Sequence, residues 1–401
     1  MSVIKKMGCL FVINIILILQ FLPAFFNMHY DLVILIFISI YYVNKMKVYK
    51  TDINIILIIG TALLLHRFFY FEIDSSKYRF QHWIISDLRP FIIASFYFIF
   101  MKSASYKNYI QFLFIVALSN FIVNMIAIID VKYYQSILQI WQNKAYGIKS
   151  YESLIGFEAT TTYVASMQER YSGFFLQPSS AGTCSVVCLF FTQLIRNKSL
   201  IRFIPYSLLL LMFIINGYLS QSSVFYFGVL LVFCYWGVKS LERSIILLIA
   251  FILVAVLTII TLGFEWINMV VFGLRFGAES NFAFMLSQLN LSTVNFFIGF
   301  NPLNEGYFGK GLGDSSYLLR LMGGGIFYVI LFYILSYNVI MRVSTIYGET
   351  NEIKRTVKSL FAFLMLVEVG SGAISNPQLT FIIFGNVFFY GKILNERYVY
   401  G

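Results

Sequence analysis

Three arginines and one aspartate are the residues best suited to chemistry in this sequence. Arg170 stands in Glu169-Arg170-Tyr171-Ser172-Gly173-Phe174-Phe175-Leu176-Gln177-Pro178-Ser179-Ser180, where a polar stretch meets an apolar run. Arg275 stands in Gly273-Leu274-Arg275-Phe276-Gly277, and Arg320 follows Asp314 in Asp314-Ser315-Ser316-Tyr317-Leu318-Leu319-Arg320. A guanidinium presents a planar fork of donors that meets phosphate oxygens two at a time and never loses its charge. Two such groups facing one cavity would grip a diphosphate without a metal ion. At the edge of apolar sequence the charge is expensive unless it is paired or used. Each arginine therefore has a plain alternative, pairing with a nearby carboxylate or snorkelling to lipid headgroups. Asp314 also has two readings. Desolvation beside an apolar helix suits a carboxyl to general-base work, although a nearby arginine opposes that shift. An aspartate ahead of a helical run is equally a favoured N-cap.

Other chemistries find less to stand on. The sequence has no Gly-rich phosphate loop, no His-rich metal signature and no serine nucleophile elbow. Glu72-Ile73-Asp74 is the one acidic pair that could hold a divalent metal, and a solvated loop explains it as well. His29, His66 and His82 all fall early in the chain. Cys184 and Cys188 share a helix face, but with no histidine or carboxylate beside them they read as small packing residues, as do Cys9 and Cys234.

The elements that must position these residues are membrane spans. Hydrophobic residues make up 59% of the 401 positions and charged residues 12%, far from the balance of a soluble domain. Apolar runs suggest twelve spans, near 8–26, 30–44, 53–71, 90–101, 109–129, 173–194, 203–219, 222–238, 245–263, 317–341, 359–373 and 378–394. The start, Lys5-Lys6 before an apolar run, resembles a signal peptide but lacks a small-x-small cleavage site, so it counts as the first span. With both termini in the cytoplasm, the inner segments carry 18 Lys+Arg and 5 Asp+Glu, against 11 and 12 elsewhere, with Glu368 left inside a span. That asymmetry fits the positive-inside rule and accounts for the net charge of +11, which excludes a nucleic-acid partner as the reason for it. The whole chain, 1–401, thus reads as one polytopic domain with no internal repeat. Two outer loops stand out, 130–172 and 264–316, rich in Tyr, Phe, Ser, Asn and Gln. Loops of that length usually bind or catalyse something. Their aromatics suit stacking on sugar faces and suit a bilayer interface equally.

Taken together, these stretches resemble the Wzy-type O-antigen and capsular polysaccharide polymerases, part of the O-antigen ligase-like superfamily. The resemblance rests on Arg170, Gly173 and Pro178 entering a span, then the Ser-rich turn Ser220-Gln221-Ser222-Ser223, then Arg275 in the largest outer loop. It ends in Asp314, Ser315, Tyr317 and Leu318, opening a span that contains Gly323-Gly324-Gly325. It covers about 165–330. It implies an all-α, GT-C-like integral protein of the bacterial cytoplasmic (inner) membrane. Such a protein moves a growing glycan from undecaprenyl diphosphate to the terminal sugar of a lipid-linked repeat unit. The transfer would be inverting and metal-independent on the outer face, with no cofactor. The product would be O-antigen, capsule or exopolysaccharide, and a chain-length regulator protein is an expected partner. Carried onto this sequence, Arg170 and Arg275 contact diphosphate, Arg320 is a secondary phosphate contact and Asp314 is the base. Many relatives have an arginine after the serine where this chain has Gln221-Ser222, so the third basic contact has no counterpart. The related ligases usually carry a histidine where Asp314 falls, which favours a polymerase over a ligase. A flippase for lipid-linked oligosaccharide, a metal-dependent glycosyltransferase using Glu72 and Asp74, and a non-catalytic scaffold are the competing expectations.

Overall fold

The computed structural model describes residues 57–64, 80–101, 106–130, 133–134, 170–173, 175, 178–195, 206–237, 297, 316–369 and 372–400. Within them every regular element is a helix. Beyond a helical segment at 57–64, these are α1 (Phe80–Phe100), α2 (Tyr106–Ile129), α3 (Pro178–Ile195), α4 (Tyr206–Leu219) and α5 (Ser223–Gly237). The C-terminal third adds α6 (Ser316–Ser344), α7 (Asn351–Glu368) and α8 (Pro377–Tyr400).

Helix α8 is the axis of the bundle. It packs against α1, α2, α3, α6 and α7, and every residue from 379 to 391 is buried. A helix enclosed on all sides has no polar face to keep, and this one reads Leu379-Thr380-Phe381-Ile382-Ile383-Phe384. Gly385 lets α1 and α2 come close. The hydroxyls of Tyr97 and Tyr109 donate to the carbonyls of Phe381 and Ile382 at 2.9 and 3.1 Å. A Cβ on Gly385 would stand within 2.6 Å of both hydroxyls.

Polar groups pair with one another inside the apolar core, and apolar side chains also face outward. Asn124 donates to Asn216 Oδ1 at 3.1 Å, and Asn216 donates to the Ala117 carbonyl at 2.8 Å, all enclosed between α2 and α4. Thr356 and Tyr390 share a buried hydroxyl contact of 2.6 Å. Meanwhile Ile115, Ile122 and Ile129 form an exposed stripe on α2, and Phe327, Ile330 and Ile334 form another on α6. Large apolar stripes facing outward are costly in water and free of cost against lipid tails. Tyr109–Ile129 is 21 residues, about 31 Å of helix at 1.5 Å per residue, and Gly324–Ser344, also 21 residues, is likewise long and apolar enough to cross a membrane.

Helix ends differ from the apolar runs in three places. Helix α1 starts at Phe80 rather than 90, carrying Asp87, Arg89 and Pro90 inside it. Helix α3 starts at Pro178 rather than 173, because Gly173 adopts φ +59° and turns the chain. Helix α7 runs 351–368 rather than 359–373. Thr350 caps it by accepting from Ile353 N at 3.2 Å, and its first half is amphipathic, with Ile353 and Val357 buried while Arg355 and Lys358 are exposed. Pro377 opens α8 behind Asn376, whose Oδ1 accepts from Leu379 N at 3.1 Å. The expected spans 8–26, 30–44 and 245–263 lie outside the described residues.

Candidate functional site

Several segments meet at one end of the bundle, and one of them carries Arg170. Tyr171 N donates to the Leu219 carbonyl at 2.9 Å, seating the 170–173 segment on the end of α4. Ser172 is fully buried, with its Oγ 3.5 Å from the Tyr134 hydroxyl, just past α2. Gly173 then turns with positive φ into space that no side chain could share, since a Cβ there would stand 1.8 Å from Asn120 Oδ1. The segment is fixed by backbone and neighbours, so Arg170 projects from a defined base. Its guanidinium is partly buried, and Nε has no hydrogen-bond partner. No carboxylate among the described residues pairs with it. Burial alone pushes its pKa down from the usual arginine value. A charge held half out of water with no counterion suits an anionic ligand.

The second segment begins α6. Gly325 interrupts this helix with φ +71° and ψ 179°, dividing it into 316–324 and 326–344. The residues on either side are brought together. Arg320 Cζ lies 3.9 Å from the centre of the Phe332 ring, and its Nη1 donates to the Tyr333 hydroxyl at 2.8 Å. The same Nη1 donates to Glu368 Oε2 at 2.9 Å, and Nη2 donates to Ser375 Oγ at 2.5 Å. Arg320 Nε stands 3.6 Å from Asp87 Oδ1, and the Tyr328 hydroxyl donates to Asp87 Oδ2. Glu368 is as fully engaged. Its Oε2 also accepts from Tyr333 at 2.7 Å, and its Oε1 accepts from Ala373 N and Ile374 N at 2.5 and 2.7 Å. Arg320 is 4% exposed and Glu368 0%. Arg89 joins by donating to the Ser375 carbonyl at 2.5 Å. Two arginines and two carboxylates thus cancel in formal charge, which is the condition for keeping ions out of water.

The turn at 372–376 joins the two segments. Ser375 receives Arg320 and Arg89, while Asn376 donates to Ser180 Oγ, in the first turn of α3, at 3.2 Å. Glu368 fixes the turn itself through its two backbone N–H groups. Arg170 lies eight residues ahead of Pro178, and Asp314 two residues ahead of Ser316.

Of the residues singled out by sequence, Arg170 and Arg320 are described, and they stand at the same end of the bundle. Arg275, Asp314, Glu72 and Asp74 lie outside the described residues. At Arg320 the geometry is that of pairing with carboxylates, and its donors are largely occupied within the protein. Asp87, Arg89, Glu368 and Ser375 were not among the sequence candidates. Glu368 carried a signal, as an acid inside an apolar run. Cys184 and Cys188 are buried between helices, where Asn386 Nδ2 lies 3.7 Å from Cys188 Sγ.

No family model, curated protein or solved structure matches this chain.

Proposed function

We propose that the chain is a membrane polymerase for surface polysaccharide, extending glycan carried on undecaprenyl diphosphate. A sugar hydroxyl attacks the anomeric carbon of the donor while lipid diphosphate leaves. Cationic donors stabilise the departing charge and a base takes the hydroxyl proton. Arg170 and Arg275 are assigned to the diphosphate, Asp314 to the proton. Arg320 is assigned to the same phosphate-binding region through its hold on the segment that follows Asp314.

The observation that carries this reading is Arg170: a partly buried guanidinium with no carboxylate partner among the described residues, on a turn at the end of the bundle where 316–324 also sits. The membrane setting is supported by the outward apolar stripes and by the two 21-residue stretches. Chain direction agrees with the expected sidedness over α1–α8, with α8 running away from the Arg170 end. Helix α2 ends and α3 begins at the Arg170 end, so 130–177 begins and ends on one side, as an outer loop would. Helix α5 leaves that end and α6 starts from it, which calls for one further crossing, matching the apolar run 245–263.

A second reading, a flippase for lipid-linked oligosaccharide, is favoured by one observation. A broken helix beside buried ions is how many transporters build a substrate path. Against it, the conspicuous polar mass of the sequence lies in the two expected outer loops, 130–172 and 264–316, rather than along the spans. The glycan ladder of a strain lacking the gene separates the two. Loss of all lengths beyond a single repeat, with normal surface delivery, supports the polymerase. Accumulation of lipid-linked repeats on the cytoplasmic face overturns it in favour of the flippase.

A further inference from the structure

Resting on the polymerase reading, we propose that Arg320 and Glu368 are positioning residues for the transfer, clamping the half-helix 316–324 to the 372–376 turn, which also contacts the first turn of α3. The break at Gly325 frees 316–324 from the direction of the rest of α6, so something else must set where it points. The contacts that do so are concentrated on one side chain. Arg320 reaches Glu368, Ser375 and Asp87 from α7, the turn and α1 respectively. Tyr317 adds a hydroxyl donated to the Met365 carbonyl at 2.9 Å. Glu368 is the partner that makes this a clamp on the turn rather than on α7 alone, because its second oxygen holds Ala373 N and Ile374 N. From that turn the next residue, Asn376, reaches Ser180 and hence the helix that Arg170 precedes. Asp314 precedes Ser316 by two residues. One buried ion pair therefore sets how the half-helix that follows the proposed base meets the turn in contact with α3. Neither Arg320 nor Glu368 has to touch substrate to do this.

A removable staple across the same junction provides the test. A Cβ on Gly372 would stand 3.9 Å from the Ser316 Cβ, inside the spacing of about 3.5–4.5 Å that a disulfide needs. Full-length protein carrying Ser316→Cys and Gly372→Cys is reconstituted in liposomes with lipid-linked repeat units extracted from the host. It is assayed reduced and oxidised, with and without Glu368→Gln. Under reducing conditions Glu368→Gln is expected to lower kcat by about 10²-fold, the scale of an ångström-level misplacement, and to leave KM unchanged. Oxidation is expected to restore kcat, and Ser375→Ala alone is expected to lower kcat by less than Glu368→Gln does. Wild-type kcat with Glu368→Gln, or no recovery after complete cross-linking, overturns the proposal. The rate of disulfide formation is read in the same samples and requires no catalysis. It is expected to fall with Glu368→Gln, and an equal rate in both backgrounds overturns the clamp. A wild-type protein that extends no glycan would overturn the polymerase reading, and the cross-linking rates would still decide the clamp.

Discussion

Tyr317 and Tyr333 lie with ring centres 4.7 Å apart, although both belong to the run assigned to α6. Sixteen residues of unbroken helix would separate their Cα atoms by about 24 Å, far beyond what two tyrosine side chains can span. The chain must therefore change direction sharply between them, and Gly325, with φ +71° and ψ 179°, is where it does so. Irregular backbone inside a membrane-length helix is tolerated where protein surrounds it. Gly325 is buried, and Arg320 ahead of the break is bonded to Tyr333 beyond it and to Glu368, while its Nε makes no hydrogen bond.

Gly325→Ala should expose how much the break depends on glycine. The observed φ and ψ are a region that residues with a Cβ avoid, at about 1–3 kcal/mol. Destabilisation of that size is expected in SDS-titrated unfolding of the micellar protein. Gly323→Ala, whose position shows no positive φ, should cost less than about 1 kcal/mol, the helix-interior change usually favouring alanine. Equal effects at the two positions would remove the special role of Gly325.

The Arg320–Glu368 contact should behave as a pair rather than as two residues. Leaving either charge buried without its partner costs about 3–5 kcal/mol, whereas exchanging both for apolar side chains is often close to neutral. Arg320→Met alone and Glu368→Met alone are each expected to lose several-fold in membrane yield and to unfold earlier in SDS. The double variant should recover part of the loss. Because Glu368 also accepts from Ala373 N and Ile374 N, recovery should be incomplete. Additive effects would mean the two charges are not coupled.

Much of this architecture is written in local sequence, and the part that is not has an identifiable cause. Apolar runs locate α2, α4, α5 and α6 to within a few residues, because burial in lipid or protein needs only composition. They miss the first ten residues of α1, where Asp87, Arg89 and Pro90 resemble a loop until their partners are known. Those partners, Arg320, Tyr328 and Ser375, lie more than two hundred residues away. Arg320 and Glu368 were each conspicuous as charges within or beside apolar runs, but no periodicity links two helices. The same holds for the role of Ser375 and Asn376, which read as an ordinary turn and capping site ahead of Pro377.

Gly173→Ala should disturb the Arg170 base without touching Arg170. The new methyl group would carry an unfavourable positive φ and would also meet Asn120 Oδ1 at 1.8 Å. Asn120→Ala removes the collision but not the φ cost, of about 1–2 kcal/mol for a residue with a Cβ. Chain extension is therefore expected to fall sharply with Gly173→Ala and to recover only in part with Gly173→Ala/Asn120→Ala. Glycan ladders from the two strains, normalised to protein in the membrane, make the comparison. Full recovery would assign the whole effect to the collision.

Arg170 itself should show the opposite relation between stability and activity from Arg320. Removing Arg320 strips a counterion from buried carboxylates, so stability and activity fall together. Removing Arg170 strips a charge that has no carboxylate partner among the described residues and whose Nε makes no hydrogen bond. An unsatisfied, largely desolvated polar group is a burden to the fold, discounted here because the side chain keeps some exposure. Arg170→Gln is thus expected to leave unfolding unchanged or to stabilise by up to about 1 kcal/mol. Extension of lipid-linked glycan is nevertheless expected to be lost, with Arg170→Lys restoring only part because a single ammonium cannot fork onto two phosphate oxygens. SDS-titrated unfolding and glycan ladders on the same three proteins decide the matter. If Arg170→Gln destabilises the protein as strongly as Arg320→Met, the arginine is a structural member of the bundle and its assignment to diphosphate falls.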